Sequence, residues 1–454
     1  MAETPLQAQT AQNSFDIPRS LNVVEDMLQE AKRLGASSAE AGVNIEAGLS
    51  VNVRLGEIDT LEHNRDKGLG ITVYFGQRKG SASTSDFSPR AIRETVKAAC
   101  DIARYTEEDE AAGLADAELM ASEIPDLDLY HPWGITAEEA IELARACEAS
   151  GREVDERISN SEGAAVSSHD GLRVYGNSHG FLGHYLSSRH SLSCTLIGQS
   201  GEGMQRDHWY TLSRYPSELE SPETVGKKAA ERTLARLGAR RLDTCQVPVI
   251  FEAEVARGLL AHLLRAINGG NLYRKASFLL DHLGKQIFPD WIRIDERPHL
   301  KGGLGSAPFD NEGVATRERD IVTEGVLRGY VLDSYAARRL HMQTTGNAGG
   351  VHNLFIKHND VDFGELCRQM GQGLVVTEVM GQGVNIVTGD YSRGASGFWV
   401  ENGEIQYPVE EITLASTLQE MFKGIEAIAN DEDTRGNIRT GSWLIRQMTV
   451  AGEG

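Results

Sequence analysis

Apolar and polar positions change period along this chain, and the changes mark its elements. From Leu21, apolar residues recur at helical spacing (Leu21, Val24, Met27, Leu28, Ala31, Leu34) and stop before Gly35, which predicts a helix. Period two takes over at Leu49, Val51, Val53 and Leu55. A second run starts at Ile58, ITVYF at 71–75 is a third, and RKGSAST at 78–84 reads as a fourth strand. Glycines between the runs predict an antiparallel meander. Ser88-Pro89 then opens a helix to about Tyr105, with serine as N-cap and proline in the first turn. Residues 106–135 are acidic and loop-like. Thr136 with Glu139 is a capping-box pair and predicts a helix to about Ser150. Strand patterns return at 158–169, 172–177 and 184–197, and Ser221-Pro222 opens a helix that ends near Gly238.

A boundary is expected near 240–247, where RLGARRLDTCQ gives way to the apolar VPVIF. The expected organisation is a disordered tail over 1–18, an N-terminal α+β domain over 19–240 and a C-terminal β-rich domain over 241–454. The second half begins with a strand at 247–251 and a helix over about 254–267. Two hairpins follow, one turning at Glu324-Gly325 and one at Asn402-Gly403, the latter a strong type I′ signal. LVVTEVMGQGVNIV between them has the pattern of a buried strand.

Charge narrows the function. The formal net charge of the 454 residues is -21, which disfavours nucleic acid as a ligand. Five scattered cysteines include no CxxC pair, so thiolate zinc motifs are excluded and buried, reduced thiols are expected. The N-terminal stretch lacks the apolar core of a signal peptide, and no run of about 18 apolar residues occurs. A cytoplasmic protein is expected. HExxH, GxSxG, GxxxxGK[ST] and GxGxxG are all absent. The glycine-rich KGGLGS (301–306) and TTGNAGG (344–350) read as loops rather than phosphate cradles. His179, His184 and His190 are spaced wrongly along strands to share one metal. His262, in GLLAHLLRA, reads as a core histidine.

Four stretches carry a resemblance: NRDKGLGITVYFGQRKGSAST (64–84), VYGNSHGF (174–181), YRKASFLLDHLGKQI (273–287) and VTEVMGQGVNIVTGDYSRGASGFWVENGEIQYPVEEIT (376–413). From about residue 20 onward the chain resembles the zinc-less PmbA/TldE-type subunits of the TldD/TldE metalloprotease family. The resemblance implies an α+β fold: an N-terminal half with curved antiparallel sheets and helices, and a C-terminal half dominated by a large antiparallel β-sheet. It also implies a heterodimer with a homologous TldD-type subunit, closing a chamber for unfolded or modified peptides. In that partner, the histidines of an HExxxH motif and a later cysteine hold zinc, and its glutamate polarises water.

Counted back from YRKAS at 273–277, that motif falls on Ala261, His262 and Ala266, where the two histidines are alanines and the glutamate is a histidine. Cys367, in a helical pattern, is the only later cysteine after 245. No cofactor is therefore expected in this chain; zinc is expected in the partner, and the chain alone is expected to be inactive. Two alternatives stay open: an independent hydrolase using Asp390, Ser392 and Arg393, and a homodimeric peptide holder. For peptide binding the candidate is a sheet edge over Ser392–Val400, with Ser392, Arg393, Gly394, Gly397, Phe398 and Trp399.

Overall fold

Asp16 accepts a hydrogen bond from the Arg19 N–H at 3.0 Å and caps the first helix, α1 (Ile17–Arg33). The helix starts before Leu21 because Pro18 fits its first turn, where a missing N–H costs nothing. Phe15 is already buried. The predicted tail is thus shortened from its C-terminal side; its residues 1–14 lie outside the span 15–452 that this computed structural model describes.

Six strands follow: β1 (Ser38–Arg54), β2 (Glu57–Phe75), β3 (Arg78–Thr84), β4 (Ile158–Asn177), β5 (Leu182–Ser200) and β6 (Gly203–Ser213). They form one antiparallel sheet in the order β3-β2-β1-β4-β5-β6. The two runs read at Ile58 and Ile71 are one strand. Its first part, Glu57–Lys67, is exposed throughout, so no burial imposes an apolar alternation there. The stretch β6 escaped prediction because Arg206, Asp207 and His208 break its pattern.

Four helices cover one face of this sheet. α1 and α2 (Pro89–Tyr105) bury Met27, Val96 and Cys100 against Val43, Ile71 and Val174. α3 (Ala137–Arg152) and α4 (Pro222–Ala235) bury Ala144, Cys147 and Ala229 against Val51, Val166 and Leu196. The predicted N-caps all form: Ser88, Thr136 in a full capping box with Glu139, and Ser221. α3 and α4 touch backbone to backbone, since a Cβ at Gly151 would lie 2.6 Å from the Gly226 carbonyl. From α3, the buried Glu148 accepts the Leu55 and Gly56 N–H groups, both at 2.8 Å, and so fixes the β1–β2 hairpin tip.

The second half holds two sheets. One contains β7 (Cys245–Phe251), β12 (Gly373–Met380), β13 (Asp390–Glu401), β14 (Glu404–Thr417), β15 (Ile425–Ile428) and β17 (Trp443–Ala451), in the order β14-β13-β12-β7-β17-β15. All its pairs are antiparallel except β7 with β12. A parallel pair needs a crossover connection, which the long intervening sequence supplies. A further pairing, β14 with β17, closes five of the strands into a ring. The smaller sheet has β8 (Ile294–Glu296), β9 (Arg319–Thr323), β10 (Val326–Leu327), β11 (Leu354–Ile356) and β16 (Ile438–Arg439). Both predicted turns have positive φ at each central residue, 52° and 70° at Glu324-Gly325 and 53° and 78° at Asn402-Gly403. The predicted buried strand ends at Met380; residues 381–387 leave the sheet.

Between the ring and the smaller sheet lies α5 (Ala253–Ala266). Its Leu259, Leu260 and Leu263 share one core with Phe251, Trp443, Ile321 and Leu354. No helix among the described residues is long and apolar enough to cross a membrane.

Candidate functional site

α5 carries the positions that the resemblance singled out. The helix exists because Ala256, Leu259, Leu260, Leu263 and Ala266 form an apolar face. Ala261 and Ala266 bring no donor atom. His262 lies edge-on to the Tyr391 ring, with centroids 6.2 Å apart, and its Nδ1 is buried without a hydrogen-bond partner. Burial, helped by the positive charges of Arg393 and Arg265, pulls this imidazole down to about 4. One lone imidazole facing a ring and two guanidinium charges is not a donor set for zinc. Among the described residues no three His, Cys, Asp or Glu side chains converge to hold a metal ion. Cys367 packs in a separate apolar cluster, where burial pushes its thiol up to about 11. The residues of α5 thus do not fit the catalytic metal of the family that the chain resembles.

His262 has a measurable consequence. Its folded pKa is depressed below the ordinary 6.5, so its contribution is present above that value and lost as pH falls toward about 4. Replacing it with leucine should therefore flatten the fall of Tm between pH 7 and pH 5. Parallel Tm profiles for the two proteins across that range would show that His262 takes up its proton freely.

The stretch proposed as a peptide-binding edge is not one. β13 runs between β12 and β14: Gly397 pairs with Val376 on one side and Val409 on the other, and Phe398 with Val375 and Pro408. Ring closure removes the edge, so these backbone groups are already committed. Trp399 is buried in the main core and donates from Nε1 to Glu401 at 2.9 Å; Phe398 packs on the Cys367 cluster. Gly394 lies opposite Met380, Ser392 is exposed, and Arg393 reaches the Val379 and Met380 carbonyls at 3.4 Å. The fold does bring Tyr391 and Arg393 to His262. Asp390 accepts from Thr388 Oγ1 within a turn, and among the described residues no hydrogen bond or ion pair joins its carboxylate to Ser392 or Arg393 as a catalytic set.

Two clefts instead offer chemistry. One, of about 570 Å³, lies where β6 and α4 meet the start of α5. Arg435 lines it, 4.2 Å from the ring centroids of both Trp209 and Tyr210. It bonds Asp433 at 2.9 Å and Glu254 at 3.4 Å. Burial alone would push the Glu254 carboxyl up, but His208, Arg435 and Arg232 reverse this and hold it at about 2. Glu252, two residues earlier at the helix N-cap, has among the described residues only Arg232 at 3.7 Å as an ion-pair partner, and burial raises it.

The second cavity, about 850 Å³, lies on the face of the first sheet that the helices leave open. Its floor is small and polar. Across the strands run Gly68, Asn44, Arg173 and Tyr185, then Asp66, Glu46, Gly171 and Ser187, then Asn64, Gly48, His169 and Arg189. Arg214 and Leu304 line both clefts. Arg214 is buried and donates to the carbonyls of Ser188 at 2.9 Å, Leu304 at 3.0 Å and Gly303 at 3.1 Å. Burial, with Arg189 nearby, lowers it to about 10.

Residues 39–103, 130–237 and 244–452 match, in turn, domain 1, the central domain and the C-terminal domain of the PmbA/TldA metallopeptidases. The chain belongs to the PmbA/TldA metallopeptidase family. It is 52% identical to Metalloprotease PmbA of Escherichia coli O157:H7 over 95% of this chain and 96% of that one. The Haemophilus influenzae Metalloprotease PmbA homolog is 54% identical over 93% and 94%. A TldD homolog of the same organism shares 21% over 81% of this chain and 80% of its own length. A solved protein of Bacteroides thetaiotaomicron VPI-5482 superposes with a TM-score of 0.91 at 29% identity, covering 95% of this chain and 98% of that one. TldE from Thermococcus kodakarensis superposes at 0.79 and 18% identity over 95% and 100%, a likeness of fold.

Neither cleft was found from sequence. Glu252 and Glu254 read as an ordinary strand-to-helix exit, and their partners are far away in the chain. The open face left one usable trace. At alternate positions from 42 to 52 and 163 to 171, β1 and β4 carry mostly Gly, Ser, Asn and Ala where an exposed sheet face commonly carries long charged residues.

Proposed function

We propose that this family member is the non-catalytic half of a two-subunit metallopeptidase, with a TldD-type homologue supplying zinc and the water-polarising glutamate. The observation that carries this is α5, whose side chains at the motif positions, Ala261, His262 and Ala266, are no zinc donor set. The chain's part is to complete the chamber and hold unfolded or modified peptides. The open-face cavity and the junction cleft, which share Arg214 and Leu304 in their linings, supply room for an extended chain. Cytoplasmic residence accords with five unpaired cysteines, four of them buried.

The test is reconstitution. Purified without an affinity tag, the chain should carry no stoichiometric zinc and leave an unfolded casein fragment intact. Mixed with the TldD-type protein of the same genome, it should elute as a complex by light scattering and the fragment should be cleaved. One tightly held zinc per chain, with cleavage by this chain alone, would sink the reading and restore the independent hydrolase.

A further inference from the structure

The open face of the first sheet has an asymmetry that its own packing does not explain. Glycine inside a strand weakens it, so an interior glycine usually answers a crowded neighbour or a positive φ. Gly48 does: a Cβ there would run into the His169 ring. Gly68 and Gly171 do not. Neither has positive φ, a Cβ on Gly68 would meet nothing within 4 Å, and one on Gly171 would make only ordinary contacts, 3.6 Å to Ser187 Oγ and 3.7 Å to the Ile45 carbonyl. The fold leaves room for side chains at both places, and the sequence leaves it empty. Close approach of another backbone is the remaining physical reason for such glycines.

Charge on the same face is sorted by strand. Glu46 and Asp66 stand on β1 and β2, Glu46 with His169 at 3.4 Å. Arg173 and Arg189 stand on β4 and β5, on either side of the Gly171–Ser187 pair. Neither guanidinium has an ion pair or hydrogen bond among the described residues, and both line the 850 Å³ cavity. Four residues of strand separate them in register, about 13 Å at roughly 3.3 Å per residue, within joint reach of two arginine side chains. Two unpaired guanidiniums inside one cavity of a chain with net charge -21 are poised for an anion. The acids across the groove oppose a polyanion, which leaves a single carboxylate.

We infer that this face binds the peptide substrate in extended form over Gly68 and Gly171, and that Arg173 and Arg189 grip a carboxylate of that peptide. The inference rests on the peptide-handling function proposed above and gives it a chemical preference. Arginine forks match carboxylates, while the glycine floor is indifferent to sequence.

The probes are fluorescein-labelled hexapeptides of Ala, Ser and Gly in three forms: free C-terminal acid, C-terminal amide, and amide with one internal Glu. Fluorescence anisotropy with the full chain should show the acid binding about tenfold tighter than the plain amide, the scale of a charge-assisted pair. Arg173→Gln and Arg189→Gln should each erase that difference and leave amide binding unchanged. Gly171→Ala, whose Cβ would make only ordinary contacts, should weaken all three peptides without lowering Tm. The Glu-containing amide separates the sources: tight binding admits side-chain carboxylates, and weak binding restricts the site to the terminus. Equal binding of acid and amide, or a preference that survives both glutamine variants, would overturn the carboxylate site. If the reconstituted assembly still cleaves the peptides in that case, the peptide-handling function stands without it. If the assembly neither binds nor cleaves any of them, both fall.

Discussion

Arg435→Ala should cost the fold about 3–5 kcal/mol, the range for breaking a buried ion pair from one side. The side chain is only 13% exposed and serves four partners at once. It forks onto Asp433, reaches Glu254, and lies between the faces of Trp209 and Tyr210, which belong to the other half of the chain. Removing it strands two carboxylates. Arg257, 3.4 Å from Asp433, with His208 and Arg232 beside Glu254, are then the remaining compensation. Arg435→Lys keeps a charge but loses the fork and the stacking, and should fall between. Urea unfolding at pH 7, followed by tryptophan fluorescence, checks the order. The gap should narrow in acid: Glu254 has a depressed pKa, so its stabilisation is present above the ordinary 4.5 and lost as pH falls toward about 2. An alanine variant within about 1 kcal/mol of the parent at pH 7 would show that Arg435 does not tie the halves together.

Gly397→Ala should leave little folded protein, whereas Gly394→Ala, three residues away on the same strand, should be tolerated. A Cβ on Gly397 would run into the Val375 carbonyl and lie 3.0 Å from Val376 Cα. Both belong to β12, and a backbone cannot rotate away as a side chain can. A methyl group forced into that space costs about 3 kcal/mol or more. On Gly394 the nearest atom is Met380 Cβ at 3.6 Å, an ordinary contact. Soluble yield and Tm of the two variants decide the matter. Equal stability would mean that β12 and β13 are not paired at this register, and would reopen the edge reading of Ser392–Val400.

That reversal shows what the sequence could carry. Local chemistry was readable: Ser88 before Pro89, Thr136 with Glu139 and Asn402-Gly403 each specify their own geometry within four residues, and each forms as expected. Pairing between distant strands was not. Ser392–Val400 has the Gly-rich, aromatic composition of an open edge, and only the positions of β12 and β14 make it interior. The exposed half of β2 read as a break because its burial, not its backbone, is interrupted. At the candidate site, the empty motif at Ala261, His262 and Ala266 was legible through the resemblance. Arg435 was invisible, since its meaning lies in Trp209 and Tyr210, more than 200 residues upstream.

The ring that includes β7 and β17 also dictates a timetable. Gln246 and Thr449 are paired although 203 residues separate them. The first sheet has all its strands once Ser213 has been made and its last covering helix once Ala235 has, so the N-terminal half can fold while the rest is still being translated. The second half has no such option. Its β7 emerges early and must wait, one side unpaired, until Trp443–Ala451 leaves the exit tunnel. During that interval Val249, Ile250 and Phe251 are exposed to any neighbouring chain, and a nascent protein of this kind is a natural client for chaperones that shield apolar strands.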